Sequence, residues 1–126
     1  PSRGLGDVYK RQKQLNKQPK IGTMRQIFIA DTDQEAMRIA EPAYNTWYRS
    51  ITELWHKNND TSFDDFFSWK SCLNNETILV GSVDSVKSKI LNLVEKTGIN
   101  YFAGSFAWGS LPFEKSQISR MYLDFW

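Results

Sequence analysis

The stretch Arg25-Gln-Ile-Phe-Ile-Ala-Asp-Thr-Asp33 places three adjacent apolar side chains shortly before a run of side chains that can cap a helix. Adjacent rather than alternating apolar residues are typical of a strand that is buried on both faces, as in a parallel sheet. Asp31, Thr32 and Asp33 suit the start of a helix, because their oxygens accept hydrogen bonds from its free N–H groups. The stretch therefore predicts a buried strand that leads directly into a helix.

The helix predicted after this strand carries apolar side chains at every third or fourth position from Ala36 to Trp55, the spacing of a single buried helix face. Pro42 lacks an N–H group and is expected to kink this helix or to split it near Ala40. His56 lies near the predicted helix end, where we expect it to interact with the helix dipole rather than to act as a general base.

Two further strand-and-helix units follow along the chain. Residues 76–80 predict a second buried strand, and Ser82 is a good cap for an amphipathic helix that ends at Gly98. Residues 99–103 predict a third strand, with a last helix from Glu114 onward. Right-handed crossovers would make the three strands parallel, so the predicted fold class is α/β. The loops 31–33, 81–82 and 104–109 would then lie together at the carboxyl ends of the strands. Binding and catalytic sites in such folds form at the carboxyl ends of the strands.

Three strand-and-helix units are too few to close a barrel, and an open three-stranded parallel sheet leaves both of its edges unpaired. A complete (β/α)8 barrel takes about 250 residues, whereas this chain has 126. The chain is long enough for one domain with a core. Its length also suits the closing portion of such a barrel.

The composition excludes several classes of protein. The chain is 40% hydrophobic and 14% aromatic, which argues against disorder, and its formal net charge of +2 makes no demand for nucleic acid or a membrane surface. Cys72 is the single cysteine, so no internal disulfide can form. Neither a membrane span nor a secretion signal is recognisable. We therefore predict a cytoplasmic protein without a metal site.

The first residues differ from the rest of the chain. Residues 1–19 show no periodicity, and Gly4 and Gly6 lack the preceding strand that a phosphate loop requires. The basic residues between Lys10 and Lys20 favour a solvated tail over a nucleic-acid arm. The first dozen residues also resemble translated adapter sequence. We predict that 1–19 form a disordered or foreign tail and that the domain spans 20–126.

Residues 58–75 are the least regular part and carry several aromatic side chains among acidic ones. This composition suggests an insertion or a lid-like segment whose aromatic rings cover another part of the protein. Asp64 and Asp65 are sequence neighbours whose side chains point in different directions. We therefore expect them to mark a helix start rather than to form an acid–base pair.

Several passages, in order, resemble the bacterial luciferase-like flavin-dependent monooxygenases. The passage Arg25 to Ala36 is similar to a late strand and helix start of that family, and Pro42-Ala-Tyr44 with Trp47-Tyr48 is similar to its following helix. Gly81-Ser-Val-Asp-Ser-Val86 resembles a family turn in which proline is usual at the position of Val83. The last two similar passages are Gly98 to Phe102 and Trp108 to Glu114.

The resemblance covers about residues 18–126 and implies the C-terminal part of a (β/α)8 barrel. It also implies reduced FMN, or the deazaflavin F420 of some relatives, as the cofactor that reacts with O2 to oxygenate a small organic substrate. The resemblance also implies that a separate flavin reductase supplies the reduced flavin. It further implies that the full-length protein forms a homo- or hetero-oligomer. Most flavin contacts of this family come from earlier strands, so the chain alone is expected to be inactive.

Six residues are candidates for a site, and none of them is predicted to be catalytic. Backbone N–H groups at a helix start attract anions, and glycines permit close approach of a cofactor; aromatic rings can form the wall of an apolar pocket. The candidates for cofactor binding are Gly81, Ser82, Gly104 and Gly109, and those for a substrate pocket are Phe106 and Trp108. The alternatives are a plain helix cap at Gly81-Ser82 and ordinary core packing for the two aromatic rings.

Two functions of different classes therefore remain open. The chain is either a piece of a flavin-dependent monooxygenase or an autonomous small α/β binding protein without catalytic activity. Further strand-and-helix units upstream in the source DNA would favour the first hypothesis. A stop codon just before a start near Met24 would favour the second.

Overall fold

The computed structural model describes residues 19–124, so residues 1–18 of the predicted tail 1–19 and the last two residues lie outside the described part. Three strands and four helices follow one another along this part of the chain. They are β1 (Gly22–Ile29), α1 (Asp33–Lys57), α2 (Trp69–Asn74), β2 (Ile78–Gly81), α3 (Val83–Thr97), β3 (Tyr101–Ser105) and α4 (Phe113–Asp124). The α/β class predicted from the sequence is confirmed.

The sheet is parallel, and its strand order is β2-β1-β3. β2 pairs with residues 26–29 of β1, whereas β3 pairs with residues 22–26 along the opposite edge. Consecutive strands of a barrel lie side by side in chain order, which would put β2 in the middle. In this structure β1 is central and pairs with one shorter strand along each of its edges. The described residues thus form an open sheet and do not show barrel order.

Helices cover both faces of this sheet. Phe28 lies in one apolar cluster with Ala36, Ala40 and Tyr44 of α1. Ile27 and Ile29 point to the other face and form a second cluster, together with Val86 and Ile90 of α3. The prediction that β1 is buried on both faces is confirmed, since Ile27, Phe28 and Ile29 are each at most 1% exposed. A strand covered on two faces is typical of a three-layer α/β fold.

The edge of β1 that faces β3 continues beyond the end of β3. Backbone groups of a strand alternate between its two neighbours, and Ala30 N–H donates to Gly81 O on the β2 side. The carbonyl of Ile27 and the N–H of Ile29 therefore point to the other edge, where β3 has ended. Trp108 Nε1 donates to Ile27 O at 3.3 Å, and Ile29 N–H donates to Ser119 Oγ at 2.7 Å. Two side chains thus satisfy the groups that a longer strand would have paired.

Helix α1 is continuous from Asp33 to Lys57, so of the two expectations for Pro42, a kink or a split near Ala40, the split is wrong. Its N-cap is Thr32, whose hydroxyl accepts from the N–H of Glu35 at 3.1 Å. Pro42 lies inside the helix, where it removes a single backbone hydrogen bond. Ala40, Ala43 and Tyr44 around it are buried in the core, and this packing holds the helix together across the proline.

The boundaries of the second and third units shift only slightly. Ser82 caps α3 by accepting from Ser85 N–H at 3.3 Å, and Gly98 ends it with a φ of 71°, as predicted. The strand predicted at 99–103 is observed at Tyr101–Ser105. Ile99 is buried and lies just before that strand. The apolar pattern therefore located this strand two residues too early.

The segment 58–75 packs on α1, as the lid-like interpretation suggested. Its Phe67 stacks against Trp55 of α1 with ring centroids 5.9 Å apart, and Phe63 lies 4.8 Å from the same Trp55 ring. The prediction for Asp64 and Asp65 is wrong, because the helix of this segment begins at Trp69 with Ser68 as its cap. Asp64 pairs with a side chain of α1 instead.

Candidate binding site at the ends of the strands

The loops after β1 and β2 are joined by the carboxylate of Asp33. Ser82 N–H donates to Asp33 Oδ1 at 2.7 Å, and Ser85 Oγ donates to Oδ2 at 3.0 Å. A Cβ at Gly81 would lie 2.6 Å from that Oδ1, so only glycine leaves room for this contact. The hydrogen bond from the Ser82 backbone, followed by that from Ser85, lowers the pKa of Asp33 below its ordinary value.

This contact decides what the start of α3 can bind. The free N–H groups of a helix N-terminus attract anions, and Gly81-Ser82 was a candidate for that reason. The carboxylate of Asp33 already accepts from Ser82 N–H. A phosphate at the same place would have to displace this carboxylate and would be repelled by it. In this structure Gly81-Ser82 is a link between two loops rather than a vacant anion site.

Gly104 and Phe106 lie together along a groove between α3 and β3. Gly104 is exposed, and a Cβ there would lie 2.8 Å from the Phe106 ring and 2.9 Å from Ile27 Cδ1. The glycine therefore allows the Phe106 ring to lie over the strand. The groove has a volume of about 540 Å³, which is within the usual range of ligand pockets.

Trp108 and Gly109 belong to the opposite face of the sheet, against α1. The Trp108 side chain is buried and packs edge-on to Tyr44, with centroids 6.2 Å apart. Gly109 has a φ of 58°, and a Cβ there would lie 1.8 Å from the carbonyl oxygen of Ala43. Both residues thus fix the chain against α1. The core-packing alternative describes Trp108 in this structure.

The six candidates consequently fall into three environments. Gly81 and Ser82 form the link to Asp33, Gly104 and Phe106 line the groove, and Trp108 and Gly109 pack on α1. Of the six candidates, the structure places Gly104 and Phe106 in the groove.

Sequence reasoning missed a pair at the end of β1. Tyr122 of α4 donates its hydroxyl hydrogen to Asp31 Oδ1. This hydrogen bond to a carboxylate, more than burial, raises the pKa of Tyr122. Tyr122 and Asp31 also line a small cavity of about 140 Å³, with Lys115 at its border. Because the two partners are 91 positions apart, no local sequence pattern could have indicated this pair.

His56 links the end of α1 to the segment 58–75. Its Nε2 lies 2.7 Å from Asp64 Oδ1, and both side chains are partly exposed. Tyr48 OH donates to the carbonyl of the same Asp64 at 3.2 Å. His56 is also in the last turn of α1, as the dipole interpretation required. These contacts hold the segment 58–75 on the helix.

No family model matches the chain, and no solved structure shows a significant match. A curated relative, the uncharacterized protein y4wF of Sinorhizobium fredii (strain NBRC 101917 / NGR234), is 24% identical over 111 residues. The match covers 82% of this chain and 31% of the relative. The chain thus spans about a third of the length of that protein. Its name indicates no activity.

Two further properties concern residues 19–124 only. None of the helices there combines the length and the apolar character that crossing a bilayer requires. The same residues contain no group of three or more His, Cys, Asp or Glu side chains that could hold a metal ion.

Proposed function

We propose that this chain is the C-terminal part of a longer luciferase-like flavin-dependent monooxygenase, cytoplasmic and supplied with reduced flavin by a reductase. The proposal rests on the position of the loops that lie within or beside the passages resembling this family. Each of these loops follows the carboxyl end of a parallel strand. Active sites of α/β proteins form at that end. The match to only 31% of a longer relative supports the same proposal.

The described residues do not by themselves fit a bound flavin phosphate. The α3 N-terminus is occupied by Asp33, and the backbone of Gly109 is in contact with Ala43. We therefore assign no reaction step to the residues of this chain. In this proposal the flavin contacts come from the earlier strands of the longer protein, and this chain supplies a late part of the fold.

Flavin titration tests the proposal in two proteins. The 126-residue chain is expected to leave FMN fluorescence unchanged, whereas the longer protein from the same reading frame is expected to bind reduced FMN. It should then consume O2 with an organic substrate such as an aldehyde when a flavin reductase is present. Stoichiometric FMN binding by the short chain, or a longer protein that binds no flavin, would contradict the proposal.

A second candidate function is an autonomous α/β binding module. The strand order favours it, because within residues 19–124 β1 is covered on both faces and paired along both edges. Such a module should be monomeric and melt cooperatively. The fragment proposal predicts aggregation instead, since the outer edges of β2 and β3 are unpaired among the described residues.

A cross-link separates the two candidates. Met24 and Ala103 are directly paired across β1 and β3, so the double variant Met24→Cys, Ala103→Cys should form a disulfide in the short chain. An autonomous module keeps this bond in any longer protein. A barrel with strands in chain order places β3 beside β2 and prevents the bond. Non-reducing electrophoresis after proteolysis between the two positions distinguishes these outcomes.

A further inference from the structure

The groove between α3 and β3 has apolar walls that the fold leaves uncovered. Ile90 of α3 is buried at its base, whereas Val94, one turn further along the helix, is 37% exposed. The apolar face of α3 thus extends past the strands it covers. The opposite wall is aromatic and consists of Tyr101, Phe102 and Phe106.

Two cationic side chains lie near this apolar surface. Lys20 Nζ lies 5.8 Å from the centroid of the Tyr101 ring in the aromatic wall. Arg120 of α4 is the single charged residue among the described residues that line the groove. Its guanidinium is exposed and forms no hydrogen bond or ion pair with any other described residue. The polar lining residue Asn100 is already engaged, because its side chain accepts from Ile21 N–H and donates to Pro19 O, each at 2.8 Å.

We propose that this groove binds an aromatic organic anion. The aromatic wall offers ring faces and edges for stacking, and the Arg120 guanidinium offers hydrogen bonds to a carboxylate, sulfonate or phosphate group. A neutral apolar ligand would leave the cation unused, and a cationic ligand would be repelled by it. This site lies on the α3 face of the sheet, and the inference does not rest on the monooxygenase proposal.

Two fluorescent probes with the same aromatic body test the inference on the full 126-residue chain. 1-Anilinonaphthalene-8-sulfonate carries an anionic group, and N-phenyl-1-naphthylamine is its neutral counterpart. We expect the sulfonate to bind at one saturable site and Arg120→Gln to weaken it about fivefold, equivalent to about 1 kcal/mol for an exposed charge pair. The neutral probe should bind both proteins equally. The difference should shrink as the salt concentration rises to about 0.15 M.

A matched pair of variants on α3 locates the site. Val94→Asp places a negative charge in the groove and should abolish binding of the sulfonate. Leu91→Asp adds the same charge on the same helix at an exposed position outside the lining, 52% exposed, and should leave binding within about twofold. Circular dichroism verifies that both variants fold. Equal effects of the two substitutions, or an unchanged affinity in Arg120→Gln, would overturn the inference.

Discussion

Substituting Ser119 by alanine tests how the edge of β1 is stabilised. The Ser119 side chain is 0% exposed, and its hydroxyl accepts the N–H of Ile29, itself 1% exposed, at 2.7 Å. No water can replace this bond at a buried position without rearrangement of the surrounding side chains. Ser119→Ala therefore leaves a buried backbone N–H without a partner, at the strand on which the whole sheet is built.

The expected magnitude follows from two opposing terms. A buried donor without an acceptor costs about 1–3 kcal/mol. Alanine is a better helix former than serine by about 0.5 kcal/mol, and Ser119 lies within α4. The free energy of unfolding should thus fall by roughly 0.5–2.5 kcal/mol. For a domain of this size each 1 kcal/mol corresponds to a decrease in Tm of about 4–8 °C.

Ser116→Ala is the matched control. Ser116 lies one turn earlier in α4 and is 5% exposed, but its hydroxyl has no hydrogen-bond partner among the described residues. Its substitution gains the same helix propensity and loses no bond, so it should be neutral or slightly stabilising. Urea unfolding followed by circular dichroism gives both values. If the two variants differ by less than about 0.5 kcal/mol, the Ile29–Ser119 bond does not stabilise this edge.

Three further predictions concern the loops at the strand ends. Trp108→Phe keeps an aromatic ring but removes the donor to Ile27 O, so urea unfolding should show a loss of about 1–3 kcal/mol; a neutral effect would contradict the role of the indole N–H. The pKa of Asp33 is lowered in the folded chain, so its stabilisation is present above the unfolded pKa of about 4 and is lost as the pH falls through the lower folded value. Asp33→Asn should accordingly reduce the decrease in Tm between neutral and acidic pH, and an unchanged decrease would refute this assignment. Gly109→Ala would place a Cβ on the carbonyl of Ala43 and force φ of 58° on alanine, so we expect loss of cooperative thermal unfolding. Gly98→Ala shares the positive φ, 71°, but no atom of the described residues lies within 4 Å of its Cβ, so this control should unfold cooperatively with a smaller decrease in Tm.

The sequence was sufficient to predict the elements that depend on local chemistry. Ile27, Phe28 and Ile29 are adjacent and apolar, which is the pattern of a strand covered on two faces. Ser82 and Gly98 mark the two ends of α3, because a cap needs only a side-chain oxygen or a left-handed φ at one position. Such signals are contained in a few neighbouring residues.

The contacts that organise the candidate site were not predictable in this way. Asp33 reaches Ser82 across 49 positions, and Trp108 reaches Ile27 across 81. An aspartate at a helix start is expected to bind its own helix, and nothing in its neighbours indicates that it binds another one. Gly81-Ser82 was a candidate anion site because it lies at a helix start, with a plain helix cap as the alternative; the carboxylate that accepts from Ser82 N–H lies 49 positions away in the sequence.

The strand order bears on the choice between the two candidate functions. β2 contributes four residues and β3 five, whereas β1 contributes eight. β1 pairs with both other strands, through residues 26–29 along one edge and residues 22–26 along the other.

Beyond β3, the edge of β1 is closed by Trp108 and Ser119. An additional strand from a longer protein would compete with these two side chains for the same backbone groups. The longer barrel protein would therefore lose the hydrogen bonds from Trp108 to Ile27 O and from Ile29 N–H to Ser119, whereas an autonomous module would retain both.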